Sequence, residues 1–218
     1  MSDGENRIER LYRERPAVAD FARGYLDYLT EVLAGLDVAA IASFAGVLLE
    51  ARDRGARIFF IGNGGSAATA SHFVNDLAVG CRSPVAPFRA VGLTDNVAVL
   101  TALANDYSYE DVFVRQLQTQ MEPGDVVVAI SVSGNSPNVV GAVEYANENG
   151  AFTVGLTGFD GGRLAEIAQF VVHVPTNRGE YGPAEDVHLV VDHLVSAYLA
   201  QVCAPRAATS GVEGLAGR

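Results

Sequence analysis

Val126-Val127-Val128-Ala129-Ile130-Ser131-Val132-Ser133-Gly134-Asn135-Ser136-Pro137 changes character halfway along. Its apolar, largely β-branched half reads as a buried strand. Three serines, a glycine and an asparagine then make a turn, and Pro137 opens a helical pattern over 138–149. Backbone N–H groups at such a helix start lack partners within the helix and attract anions, and serine hydroxyls add neutral donors. No lysine follows the glycine as it does in the nucleotide P-loop, so a sugar phosphate suits the turn better than ATP. A plain strand-to-helix turn with serine as cap explains the same residues, and this segment alone leaves the two readings level.

A second turn of the same kind tips the balance. Arg57-Ile58-Phe59-Phe60-Ile61 runs into Gly62-Asn63-Gly64-Gly65-Ser66, and Ala67-Ala68-Thr69-Ala70 follows. Glycines allow backbone to approach a ligand closely, and Ser66 is placed to cap the helix. The glycine spacing is not that of the dinucleotide fingerprint. Two such turns at the C-terminal ends of two parallel strands carry more weight than one, because open α/β sheets bind ligands there.

Five apolar runs read as strands: 57–61, 88–93, Val126–Ser131, Phe152–Thr157 and 170–174. Helical patterns fall at 18–35, 37–54, 66–79, 96–104, 109–120, 138–149, 162–168 and 184–201. Such alternation predicts an α/β fold whose parallel sheet is covered on both faces. Leu26, Leu29, Val32, Leu33 and Leu36 line one face of an early helix, to cover the sheet or to pack against another subunit. Residues 1–16 read as an N-terminal segment and 17–202 as one domain with N-terminal helices. The small, polar stretch 203–218 is expected to be disordered.

The 218 residues carry a net charge of −11, which argues against a nucleic-acid or anionic-membrane surface. A phosphate must therefore be held mainly by N–H and hydroxyl donors. Two cysteines, Cys81 and Cys203, give neither a disulfide framework nor a metal motif, and a reducing cytoplasm is the expected setting. Residues 1–20 lack the apolar core of a signal peptide, and no apolar run reaches membrane-spanning length.

His72 and Asp76 stand four apart on the helix after the glycine turn. Glu185 and His193 stand eight apart on the last helix, with His188 and Asp192 rotated from them. Two histidine–carboxylate pairs on two helices suit a divalent metal such as zinc, or a general base and acid. Spacing by itself favours inert roles: a satisfied core histidine at His72, a solvated Asp76, a surface pair at Glu185 and His188. His173, in the last strand, reads as structural. Asn105-Asp106 reads as a helix stop, and Glu110 and Asp111 as a solvated helix start.

Six segments in order resemble a known family: Phe60-Ile61-Gly62-Asn63-Gly64-Gly65-Ser66, Ser71-His72-Phe73, Thr94-Asp95-Asn96, Ala104-Asn105-Asp106-Tyr107, Ile130-Ser131-Val132-Ser133-Gly134-Asn135-Ser136, and Leu156-Thr157-Gly158-Phe159-Asp160-Gly161-Gly162. Together they resemble the SIS (sugar isomerase) domain family, with the intervals of its phosphoheptose isomerases, over residues 20–202. The resemblance implies an α/β/α sandwich around a five-stranded parallel sheet. It implies a homotetramer with sites between subunits, acting on sedoheptulose 7-phosphate through an enediolate. It also implies that Ser131, Val132, Ser133 and Ser136 hold the phosphate. Asn63, Gly64, Gly65, Ser66, Asn105 and Asp106 would contact the sugar. His72, Asp76, Glu185 and His193 would gather at the reacting carbons and, as in some members, bind zinc, with Asp76, Glu185 and His193 moving protons.

This chain departs from the family pattern twice. Asp76 stands where the family has a glutamate, and Glu185 where it has a glutamine. The first shortens the reach of the base, and the second adds an anionic ligand. Two other readings share the glycine and serine turns: a non-catalytic protein that binds a partner such as a replication initiator, and a sugar-phosphate sensor. The non-catalytic relative lacks the acidic residue and the final histidine, both of which this chain has.

Overall fold

Alternation along the two central strands divides the core in two. The computed structural model describes residues 6–81 and 86–204. In β1 (Arg57–Gly62) Ile58 and Phe60 face one way and Phe59 and Ile61 the other. In β3 (Val126–Ser131) Val126, Val128 and Ile130 oppose Val127 and Ala129 in the same manner. Both faces are apolar because both are covered, so these strands read as unbroken hydrophobic runs.

The sheet has the order β2-β1-β3-β4-β5, with β2 at Arg89–Gly92, β4 at Phe152–Thr157 and β5 at Phe170–His173. Every neighbouring pair is parallel. On one face lie α2 (Val18–Ala34), α3 (Val38–Asp53), α4 (Gly65–Asn75) and α9 (Tyr181–Cys203), meeting at Phe44, Phe73, Val187, Val191 and Val195. Phe73 is stacked on Phe60 and met edge-on by Phe44, with ring centroids 5.2 and 5.9 Å apart. On the other face α6 (Val114–Gln120), α7 (Pro137–Glu148) and α8 (Gly162–Ile167) pack around Phe59, Phe113, Leu117 and Val143. The expected three-layer sandwich is therefore the observed fold.

Strand order reverses direction between β1 and β3, where the register sets Gly62 opposite Ile130. The glycine turn and the serine turn thus leave the sheet side by side, at the switch point where α/β sheets open a crevice.

Local differences from expectation have physical causes. The N-terminal segment contains α1 (Arg7–Glu14), capped by Asn6. It is anchored by the Arg7 N–H donating to Glu180 Oε1 at 2.6 Å. Ser66 does not cap α4. Gly64 takes that place with no side-chain bond, and Ser66 is buried one position inside the helix. The helix expected over 66–79 becomes a π turn from Asp76 to Gly80, and the one over 109–120 begins as a separate 3₁₀ turn, Tyr109–Asp111. On the early helix Leu26 is exposed, while Leu29, Leu33 and Leu36 pack on the core. The tail expected to be disordered lies outside the described residues from 205 onward. Among the described residues no single helix is long and apolar enough to cross a membrane.

Candidate active site

The helices that begin at the switch point are left open. Asn6, Asp37 and Asn96 close α1, α3 and α5 (Val97–Asp106) by accepting from first-turn N–H groups. Neither α4 nor α7 has such a side-chain bond, although Ser136 occupies the cap position of α7. Their first N–H groups remain available to an external acceptor. Between them lies a cavity of 150 Å³ lined by Asn63, Ser66, Ile130, Ser131, Val132, Ser133, Ser136, Tyr181 and Glu185. Six of those nine, Asn63, Ser66, Ser131, Val132, Ser133 and Ser136, were expected to bind the substrate, and Glu185, expected among the catalytic and metal-binding residues, joins them here.

The turn itself is rigidly tied. Leu164 N–H donates to Gly134 O at 2.8 Å, Arg163 N–H to Asn135 Oδ1 at 3.0 Å, and Asn135 Nδ2 to Ser133 O at 2.8 Å. Ser131 and Ser136 hydroxyls stand 3.4 Å apart. Asn63 is fixed by a reciprocal amide pair with Asn138, at 2.8 and 2.9 Å, and its Oδ1 also accepts from the Tyr109 hydroxyl at 2.8 Å. Asn138, Tyr109 and Tyr181 had no signal in the sequence, because their partners are distant along the chain.

Gly65 is small for a reason visible here. A Cβ at this position would lie 2.3 Å from Glu185 Oε2, so the carboxylate occupies the space a side chain would need. Glu185 therefore rests against the open end of α4, where the helix dipole favours negative charge. Burial, and secondarily Asp186, raise its pKa above the usual glutamate range.

The helices α4 and α9 run in the same direction, with Gly65 beside Glu185 and His72 beside His193. His72 Nε2 and His193 Nε2 are 3.0 Å apart with their rings edge to face, and Asp76 Oδ2 lies 3.6 Å from His72 Nε2. Ligand atoms of His72, Asp76 and His193 all fall within 4.8 Å of one another. Glu185 is not in this group. Eight residues of helix separate it from His193, about 12 Å of rise. The predicted set of four is thus divided within a single chain, with His72 and Asp76 at the C-terminal end of α4 facing His193 midway along α9, and Glu185 at the serine-turn cavity.

Gly64 and Gly65 are exposed at the start of α4. Asn105 and Asp106 end α5 exposed, joined to each other by a 2.9 Å bond, and do not line the cavity. His188, read as half of a surface pair with Glu185, is fully buried, as is Asp192, which spacing placed on the same side of α9. His188 Nε2 stands 3.2 Å from Thr157 O, and burial lowers its pKa to about 4. Asp192 Oδ1 accepts from Ser196 at 3.0 Å, and burial raises its pKa to about 7. His173 bonds Thr157 Oγ1 at 3.0 Å, in keeping with its structural reading.

Known proteins resemble this chain in sequence and fold. The family model for the SIS domain matches residues 21–158. Phosphoheptose isomerase of Rhodospirillum rubrum is 41% identical over 72% of this chain and 82% of its own length. That of Geobacter metallireducens is 41% identical over 71% of this chain and 81% of its own length. The structure of phosphoheptose isomerase GmhA from Neisseria gonorrhoeae superposes with a TM-score of 0.78 at 29% identity, covering 85% of this chain and all of that one. The chain belongs to the SIS domain family. Its likeness to the phosphoheptose isomerases makes it a sugar-phosphate isomerase.

Proposed function

We propose that this isomerase interconverts sedoheptulose 7-phosphate and an aldoheptose 7-phosphate. The observation that carries the reading is the convergence of Asp76, His72 and His193 on helices whose neighbouring ends open onto the serine and glycine turns. Ser131, Ser133 and Ser136, with the N–H of Val132 and the open start of α7, hold the phosphate. Asn63, Ser66 and Glu185 meet the sugar hydroxyls, alongside the backbone of Gly64 and Gly65. The rise from Gly65 to His72 is about 10 Å, so a linear sugar anchored by its phosphate extends toward the imidazoles. Asn105 and Asp106 reach a sugar only from a neighbouring copy.

The proton transfers follow from this placement. Asp76 removes the proton from the carbon beside the carbonyl, and the C–H electrons form the enediolate double bond. His193 supplies a proton at the carbonyl oxygen, which relieves the developing charge. Asp76, after exchanging its proton with solvent, protonates the former carbonyl carbon, His193 regains a proton from the hydroxyl on the carbon that lost its hydrogen, and the carbonyl moves by one position. Remote phosphate binding positions the reacting carbons for these steps.

The same three side chains, His72, Asp76 and His193, would hold a divalent cation, zinc by ligand type, as the alternative to a metal-free acid–base set. Tetrahedral zinc with bonds near 2.0–2.1 Å has ligand–ligand edges of about 3.3 Å, and the 3.0 and 3.6 Å separations here are of that size. Such an ion supplies Lewis-acid polarisation of a carbonyl.

A homotetramer in the cytoplasm completes the proposal. Val190, Leu194, Tyr198 and Val202 form an exposed stripe along α9, each 38–56% exposed, beside His193. Apolar surface of that regularity on a soluble enzyme suits a copy-to-copy contact. The non-catalytic and sensor readings gain no support from a site in which the carboxylate and both imidazoles come together.

Replacing His193 tests the assignment. His193→Ala is expected to lower kcat by about 10²–10⁴-fold, the range for a lost general acid, while leaving the melting temperature near that of the parent. Elemental analysis of the same variant is expected to show reduced metal content. Undiminished turnover in His193→Ala would remove it from the chemistry, and full activity in metal-free protein would remove the metal alone.

A further inference from the structure

Two cavities share a wall at Ser133 and Tyr181. In the first, the 150 Å³ space between α4 and α7, the polar side chains are hydroxyls, one amide and the Glu185 carboxylate. No cation lines it. A phosphate monoester carries roughly −1.5 to −2 charge at neutral pH. Bound beside Glu185, in a chain of net charge −11, that dianion lacks a counter-charge on its own wall.

The second cavity, of 180 Å³, supplies one. It is lined by Ser133, Asn135, Phe159, Asp160, Arg178 and Tyr181. Arg178 is exposed and makes no ion pair among the described residues. It projects from a fixed turn between β5 and α9. On one side Asn177 N–H donates to Glu180 Oε2 at 2.8 Å, and on the other Gly179 takes φ +90°. Asp160, the acid in this cavity, already accepts from Gly162 N–H at 3.1 Å. Phe159 and Tyr181 form the apolar side, with ring centroids 4.9 Å apart.

We propose that Arg178 is a substrate-binding residue whose guanidinium crosses the Ser133–Tyr181 wall and pairs with the phosphate held by the serine turn. Arginine offers a planar fork of donors matched to phosphate oxygens, which the neutral turn lacks. Arg178 would then favour anionic phosphate esters over neutral sugars. The inference rests on the reading of the serine turn as the phosphate site.

Calorimetry with inorganic phosphate, together with kinetics on sedoheptulose 7-phosphate, tests the two separately in the full-length protein. Arg178→Ala is expected to weaken phosphate at least tenfold and to raise KM by a similar factor, with a smaller effect on kcat. Arg178→Lys should recover part of the loss, since it restores the charge but not the fork. Added salt should narrow the gap between parent and Arg178→Ala. Ser133→Ala is the companion variant. If Ser133→Ala weakens phosphate while Arg178→Ala stays within twofold of the parent on both readouts, Arg178 is excluded and the serine turn stands. If the parent shows no phosphate affinity and Ser133→Ala leaves KM unchanged, both assignments fall.

Discussion

Gly134 shows how a residue without a side chain sets the site. Its φ is +63°, and a Cβ there would come within 1.9 Å of the Gly161 carbonyl oxygen. The obstacle is backbone, so no rotamer change relieves it. Gly134→Ala is expected to cost at least ~2 kcal/mol, from left-handed strain and the displaced loop together. Chemical denaturation checks that figure, and loss of phosphate affinity should accompany it. Gly65→Ala is the milder case, because its new Cβ meets only the end of a flexible glutamate. At this scale the serine and glycine turns were legible from local turn chemistry, whereas spacing alone favoured inert roles for His72 and Asp76, and only the family resemblance grouped them with His193. Tyr109, Asn138 and Tyr181 were not legible, because each reaches the site through a contact that only the folded chain creates.

Among the elements, α9 carries two kinds of histidine. His193 is exposed beside His72, whereas His188, five residues earlier, is sealed against the sheet. Sequence spacing sees both as polar positions on a helix and gives no sign of which one turns inward. Burial lowers the folded pKa of His188 from the ordinary 6.5 to about 4. The folded state thus binds this proton less tightly than the unfolded state. Its stabilising contribution is complete above pH 6.5 and is lost as pH falls toward 4, at about 1.4 kcal/mol per unit. His188→Gln keeps a donor for Thr157 O but does not titrate. Denaturation of parent and variant at matched protein concentration should therefore diverge between pH 6.5 and 4, the parent losing more. Parallel curves would contradict the buried, neutral state.

The strands were readable because both sheet faces are covered, which leaves continuous apolar runs at 57–61, Val126–Ser131 and Phe152–Thr157. The short α1 was not. Its Arg7-Ile8-Glu9-Arg10-Leu11-Tyr12-Arg13-Glu14 sequence is mostly charged, and what holds it is Glu180, 173 residues away from Arg7. The π turn at Asp76 was equally hidden. It begins at Asp76 itself, and π turns are frequent at functional sites.

For the whole molecule, the stripe at Val190, Leu194, Tyr198 and Val202 makes assembly testable. Leu194→Glu places a charge in the centre of the stripe and is expected to shift the parent's sedimentation from tetramer to smaller species. Activity should fall with it if Asn105 and Asp106 act from a neighbouring copy, as proposed. A monomeric parent with full activity would contradict that account. The acidic surface, at net charge −11, makes the neutral donors of the serine turn and the single Arg178 the natural means of holding an anion.

The central claim is that Asp76 and His193 move a substrate proton between adjacent carbons of a sugar phosphate. Its most direct measurement is incubation of the parent protein with sedoheptulose 7-phosphate in heavy water, followed by mass spectrometry and NMR of the sugar. The account predicts an aldoheptose 7-phosphate carrying solvent deuterium at C2, and no such product with Asp76→Asn or His193→Ala. Ser133-dependent binding of the sugar phosphate with neither product nor deuterium uptake would contradict it.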